Sequence, residues 1–68
     1  MNFMDAVNNM MAGKRLIRKG WGGNYLAILN NQNYIWNIAN GNDKPVVNAA
    51  LYTPSLDDIL ADDWIVKI

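Results

Sequence analysis

Hydrophobic and polar positions divide the chain into stretches of different period. From Asn2 to Ala12 the spacing is helical: Phe3, Val7, Met10 and Met11 fall at i, i+4, i+7 and i+8, on one face. Asn2, with Asp5 three residues on, has the form of a capping-box start, and Gly13 is a natural stop. Asn8 and Asn9 lie on the polar side. Lys14 and Arg15 follow the helix, where positive charge suits the macrodipole.

The period then shortens. Arg15 to Lys19 is a short strand candidate with charges flanking Leu16 and Ile17. The glycine-rich stretch Gly20-Trp21-Gly22-Gly23-Asn24 demands a turn. Tyr25 to Leu29 reads as a largely buried strand, and Asn30-Asn31-Gln32-Asn33 as a second turn. Tyr34 to Ala39 is a strand with Tyr34, Trp36 and Ile38 on one face. Asn40-Gly41 is the strongest hairpin signal in the chain. Pro45 limits Val46-Val47 to an edge strand or a strand start.

The last segment has the form of a clasp. Pro54 breaks a strand, Ser55 caps a short helix with Asp58 at its third position, and Ile59 and Leu60 supply an apolar face. Trp64, Val66 and Ile68 alternate with Ile65 and Lys67 in a terminal strand. These elements predict one α+β domain over residues 1–68: an N-terminal helix packed on a small antiparallel β-sheet, with a short helix before the last strand. A lone helix covers one face of a sheet, so apolar residues on the other face call for a second subunit.

Composition sharpens that inference. A chain of 68 residues has a thin core, and this one has no cysteine or histidine to help with disulfides or the usual metal sites. Yet 51% of it is hydrophobic, including three Trp, three Tyr and four Met, more than so small a monomer easily hides. Self-association is the physical expectation, with the choice between homodimer and homotetramer left open by composition. Formal net charge is zero, so the electrostatic footprint of a nucleic-acid binder is missing and no direct nucleic-acid binding is expected. No apolar run reaches the roughly 20 residues of a membrane span, and the N-terminus lacks a signal-peptide pattern, which predicts a cytoplasmic protein with no membrane partner.

Catalytic chemistry finds no footing in these residues. There is no histidine for general acid–base work, and Ser55 has only carboxylates near it and already caps a helix. Asp57, Asp58, Asp62 and Asp63 are split between the two ends of a short helix, without a glycine-centred ligand loop for a hard cation. No catalytic residue, metal or cofactor is expected. The loop around Trp21 has more to offer a ligand: glycines allow close backbone approach, Arg15, Arg18 and Lys19 precede it, and an indole face can stack a base. The same residues also make an ordinary tight turn with Trp21 packed on the core, the commoner outcome for such a stretch. Tyr34 and Trp36 are core or interface residues more often than ligand platforms. Asn24, Asn37 and Asn48 have amides that can read a base or ribose edge, and Asp58 is a cap residue that can also accept a ribose hydroxyl.

Three pieces of the chain, in order, resemble one known family. They are the opening Met1-Asn2-Phe3-Met4-Asp5-Ala6, the basic segment entering a turn at Arg18-Lys19-Gly20-Trp21-Gly22-Gly23, and the clasp from Ser55 to Trp64. The family is the small phage and prophage domain that includes the second class of Thoeris anti-defence proteins. Longer members carry more sequence between the central strands, and Tyr52 stands where an aromatic before the clasp is often Trp. The resemblance implies a homotetrameric molecular sponge that sequesters cyclic ADP-ribose isomers, with cyclic dinucleotides in some relatives. On that reading Phe3, Trp21 and Trp36 supply stacking surface. Arg18 and Asn24 contact phosphate or ribose, and Asp58 caps or accepts a ribose hydroxyl. One branch is described as a type II-A anti-CRISPR, so a protein-binding inhibitor of a defence effector is the alternative, followed by a small phage structural domain.

Overall fold

The computed structural model describes residues 1–29, 33–39 and 48–68. Of the expected turn Asn30 to Asn33 all but Asn33 lies outside the described residues, as do the Asn40-Gly41 hairpin and the strand start at Val46-Val47. Helix α1 spans Phe3–Met11, and strands β1 (Leu16–Arg18), β2 (Asn24–Ile28), β3 (Ile35–Ala39) and β4 (Asn48–Leu51) follow. A short helix α2 (Leu56–Leu60) precedes the last strand, β5 (Trp64–Val66). All strand pairs are antiparallel, in the order β4-β3-β2-β1-β5. The architecture is α+β, as the sequence pattern predicts.

Helix α1 begins where its cap dictates. The Asn2 side-chain oxygen accepts the Asp5 N–H at 2.8 Å, and after the C-cap at Ala12 the chain turns through Gly13 at φ +89°. That left-handed conformation carries a penalty for any residue with a Cβ. The buried stripe differs from expectation at two positions: with Met10 buried and Phe3 and Val7 half-buried as expected, Ala6 is also buried, whereas Met11 is 71% exposed. At about 100° per residue Met11 lies roughly 90° from the centre of that stripe, so it falls at the stripe's margin.

Register assigns every strand residue to a face, because residues directly opposite share one. Leu16 is paired with both Leu26 and Val66, and Arg18 with Trp64. These side chains face α1 and, with Ala6 and Met10, enclose a core in which Leu16, Leu26 and Trp64 are fully buried. Ile28 and Ile35, paired with each other, extend that face towards β3.

The opposite face carries Ile17, Tyr25, Ala27, Trp36, Ile38, Leu51 and Ile65. Among the described residues no helix lies over it. Ala27 and Ile38 are buried on this face, while Leu51 and Ile65 remain 57% and 43% exposed.

One sheet edge is tied to the start of the chain. The Trp64 N–H donates to the Met1 carbonyl at 3.1 Å, and the Met1 ammonium donates back to the Trp64 carbonyl at 2.8 Å. This pair satisfies part of the open edge of β5, where unpaired backbone groups would otherwise face water.

Helix α2 departs from the expected picture. Ser55 caps it, accepting the Asp58 N–H at 3.2 Å. The expected apolar face of Ile59 and Leu60 is not buried: they are 45% and 74% exposed, and Leu56 is 71% exposed. A five-residue helix has too little length to bury a stripe, and α2 is held through Asp58 instead.

Candidate functional site

Asp58 is the hub of the closing clasp. Its carboxylate accepts the Tyr52 hydroxyl at 2.6 Å and an Arg18 guanidinium N–H at 3.1 Å, and its backbone carbonyl accepts the Trp64 indole N–H at 3.0 Å. Arg18 also donates its Nε–H to Asp63 at 2.9 Å, so one guanidinium ties both α2 and the residue before β5 to β1. Burial alone would push the Asp58 carboxyl up. The Tyr52 hydroxyl and the Arg18 guanidinium outweigh it and hold the group below the usual carboxylate range. Asp63 is lowered chiefly by its hydrogen bond from Arg18. Burial, then the bond to Asp58, pushes the Tyr52 phenol well above its ordinary value.

An aromatic cluster adjoins this network. Phe3 and Trp21 both pack on Trp64, with ring centroids 5.7 Å and 5.4 Å away and interplanar angles of 58° and 75°. Trp21 reaches it because the chain turns at Gly20, which has φ +95°, and the Trp21 N–H donates to the Arg18 carbonyl at 3.0 Å. This is the tight-turn geometry, with Trp21 half-buried against the core. A Cβ built on Gly22 meets nothing within 4 Å, so that glycine is not required by crowding.

The six candidate residues fall into two groups. Phe3, Arg18, Trp21, Asn24 and Asp58 lie on the helix-side face or in the clasp beside it. Asn24 donates its side-chain amide to the Asn37 side-chain oxygen at 3.3 Å, so two of the candidate amides form a pair on that face. Trp36 lies across the sheet, opposite Ala27, and no single surface of one chain holds all six. The basic run is divided in the same way. Arg18 points into the clasp, whereas Arg15 lies with Lys67 over the Tyr25 ring on the other face. The nominal cluster of Arg15, Arg18 and Lys19 is therefore not one binding patch.

Sequence reasoning singled out Arg18 and Asp58 but missed that they bond to each other, and it gave no role to Tyr52 or Asp63. One signal was available. Arg18 has the same strand parity as buried Leu16, so it had to point to the covered side, where a cation needs carboxylate partners. Among the described residues there is no group of three or more metal-ligating side chains placed to hold an ion, and no helix is long and apolar enough to cross a membrane.

Among the described residues, helix α1 on one face of a five-stranded antiparallel sheet, closed by a polar clasp that includes the short α2, defines a small α+β domain of the helix-on-sheet class. The chain belongs to the Tad2-like family, described as a Thoeris anti-defense 2-like domain, whose model matches residues 1–67. Its role is accordingly one of phage anti-defence. No curated protein and no solved structure matches the chain.

Proposed function

We propose that this protein is a sponge: it binds a cyclic nucleotide immune signal, a cyclic ADP-ribose isomer or a cyclic dinucleotide, and withholds it without degrading it. The observation that carries this reading is the family match over residues 1–67, nearly the whole chain. Its chemistry supports withholding over turnover, since the sequence has no histidine or cysteine and the clasp carboxylates are committed to Arg18 and Tyr52. Phe3 and Trp21 offer ring surface for a base, and the Asn24–Asn37 pair offers amide groups for a base or ribose edge. Two of the five N–H donors of Arg18 go to Asp63 and Asp58, which leaves three for a ligand oxygen. Asp58 then acts mainly by holding Arg18 in place.

Self-association is part of the same proposal. Among the described residues the sheet face opposite α1 leaves Leu51 and Ile65 exposed and Ile17 and Trp36 half-buried, and a second copy seated there removes that apolar surface from water. It also explains how Trp36, across the sheet from the other candidates, can share a site with them: the site forms between copies.

The test is a thermal-shift panel of cyclic ADP-ribose isomers and cyclic dinucleotides, followed by recovery of the ligand from heat-denatured protein. A ligand at a hundred times its dissociation constant stabilises by about 2.7 kcal/mol, and it should return chemically intact. Trp21→Ala should abolish the shift. A cleaved product sinks the sponge reading, and no shift with any panel member turns the function towards a protein-binding inhibitor.

A further inference from the structure

The uncovered sheet face carries an arrangement that the clasp does not use. At the corner where β1 starts and β5 ends, Arg15 and Lys67 face each other across the ladder, joined by the Lys67 N–H to the Arg15 carbonyl at 2.7 Å. Both cations lie over one ring: the Arg15 guanidinium carbon is 5.3 Å and the Lys67 ammonium 5.0 Å from the Tyr25 centroid. Among the described residues neither has a carboxylate partner, because Asp58 and Asp63 bind Arg18 on the other side of the sheet. Cation–π attraction to a shared ring leaves both positive charges in place, and like charges gathered around one ring repel. An anion placed between them relieves the repulsion and gains charge-assisted hydrogen bonds from both.

We propose that Arg15, Lys67 and Tyr25 form a binding site for the phosphate group of a nucleotide ligand. The neighbourhood argues for a nucleotide over a bare anion. Tyr25 is paired with Ile38 and Ala27 with Trp36, so Trp36 is the diagonal neighbour of Tyr25 on the same face. Diagonal positions in an antiparallel pair are about 7–8 Å apart, within reach of large rings. A phosphate seated on the two cations thus places its attached sugar and base towards the Trp36 side. The proposal rests on the sponge reading and adds to its electrostatics: Arg15 and Lys67, residues 52 positions apart in sequence, hold this phosphate, and of the run from Arg15 to Lys19 only Arg15 belongs to the site.

The experiment is an NMR titration of the whole chain with AMP, with adenosine as the uncharged comparison, following the Tyr25 ring resonances. AMP should shift them and adenosine should not. Arg15→Gln or Lys67→Gln should weaken AMP binding about tenfold each, the loss of one charge-assisted hydrogen bond. Lys19→Gln, an exposed lysine outside the cluster, should leave it unchanged. Equal shifts with AMP and adenosine, or unchanged AMP affinity in both Gln variants, overturn the site. The same variants in the cyclic-nucleotide panel separate this proposal from the sponge reading. Tight cyclic-nucleotide binding untouched by either substitution overturns the Arg15–Lys67 site alone. AMP shifts at Tyr25 that both variants weaken, with no cyclic-nucleotide binding, keep the site and sink the sponge.

Discussion

Tyr52→Phe removes one oxygen atom and leaves the ring, so it isolates the hydroxyl bond at the centre of the clasp. That hydroxyl donates to Asp58 at 2.6 Å, and both side chains are half-buried. A hydrogen bond to a charged group contributes about 1.5–3 kcal/mol. Water still reaches this pair, which places it at the lower end, about 1.5 kcal/mol. A domain of this length has a total stability of roughly 3–10 kcal/mol, so the loss is a sizeable fraction. The melting midpoint should fall by roughly 6–12 °C. Urea denaturation should show a lower midpoint with an unchanged m-value, since the exposed area on unfolding is the same. Repeating Tyr52→Phe in an Asp58→Asn background separates the bond from the ring. The second loss should be about 0.5 kcal/mol or less, a coupling of about 1 kcal/mol. A midpoint change below about 2 °C, or a coupling near zero, would refute the claim that α2 is held by polar ties rather than by burial.

The clasp also sets the response to pH. Asp58 and Asp63 have folded pKa values below their unfolded ones, so the stability they contribute is present above about pH 3.9 and disappears as pH falls through the folded values. Tyr52 is shifted upward, so its contribution is complete below about pH 10 and is lost as pH rises towards its folded value. Urea midpoints measured across both ranges check the two signs, and Tyr52→Phe should abolish the alkaline component. Gly20→Ala should cost about 1 kcal/mol because its φ of +95° is left-handed, whereas Gly22→Ala should be neutral or slightly stabilising; thermal melts of the pair decide it. Leu26→Ala should destabilise by about 2–5 kcal/mol by opening a cavity. Leu51→Ala, on the face opposite α1, should change single-chain stability by no more than about 0.5 kcal/mol and, on the proposed pairing of copies, weaken association in sedimentation.

Much of the local architecture was legible before any coordinates. Asn2 and Ser55 cap the helices they were expected to cap, because a short polar side chain ahead of an apolar run satisfies backbone N–H groups within three residues. The alternation of Trp36 and Ile38 marked one face of β3 correctly, since a strand's period is set by its own backbone, while Tyr34 lies just before the strand. The short apolar run of α2 misled: Ile59 and Leu60 look like core residues by type, but type does not say whether another element lies over them.

The clasp from Ser55 to Trp64 shows where local pattern stops. Its cap, its helix and its strand follow from interactions within a few residues, and those are written in consecutive letters. That Asp58 meets an arginine 40 residues earlier, and Asp63 the same arginine, depends on β5 pairing with β1. That choice of neighbour was made by the whole sheet, in the order β4-β3-β2-β1-β5. The split between Arg15 and Arg18 combines both levels. Their odd spacing put them on opposite faces by strand geometry alone, but only the packing of α1 decided which face was covered and which cation was left beside Lys67. Periodicity is a property of one segment, whereas burial and ion pairing belong to the segments that meet it.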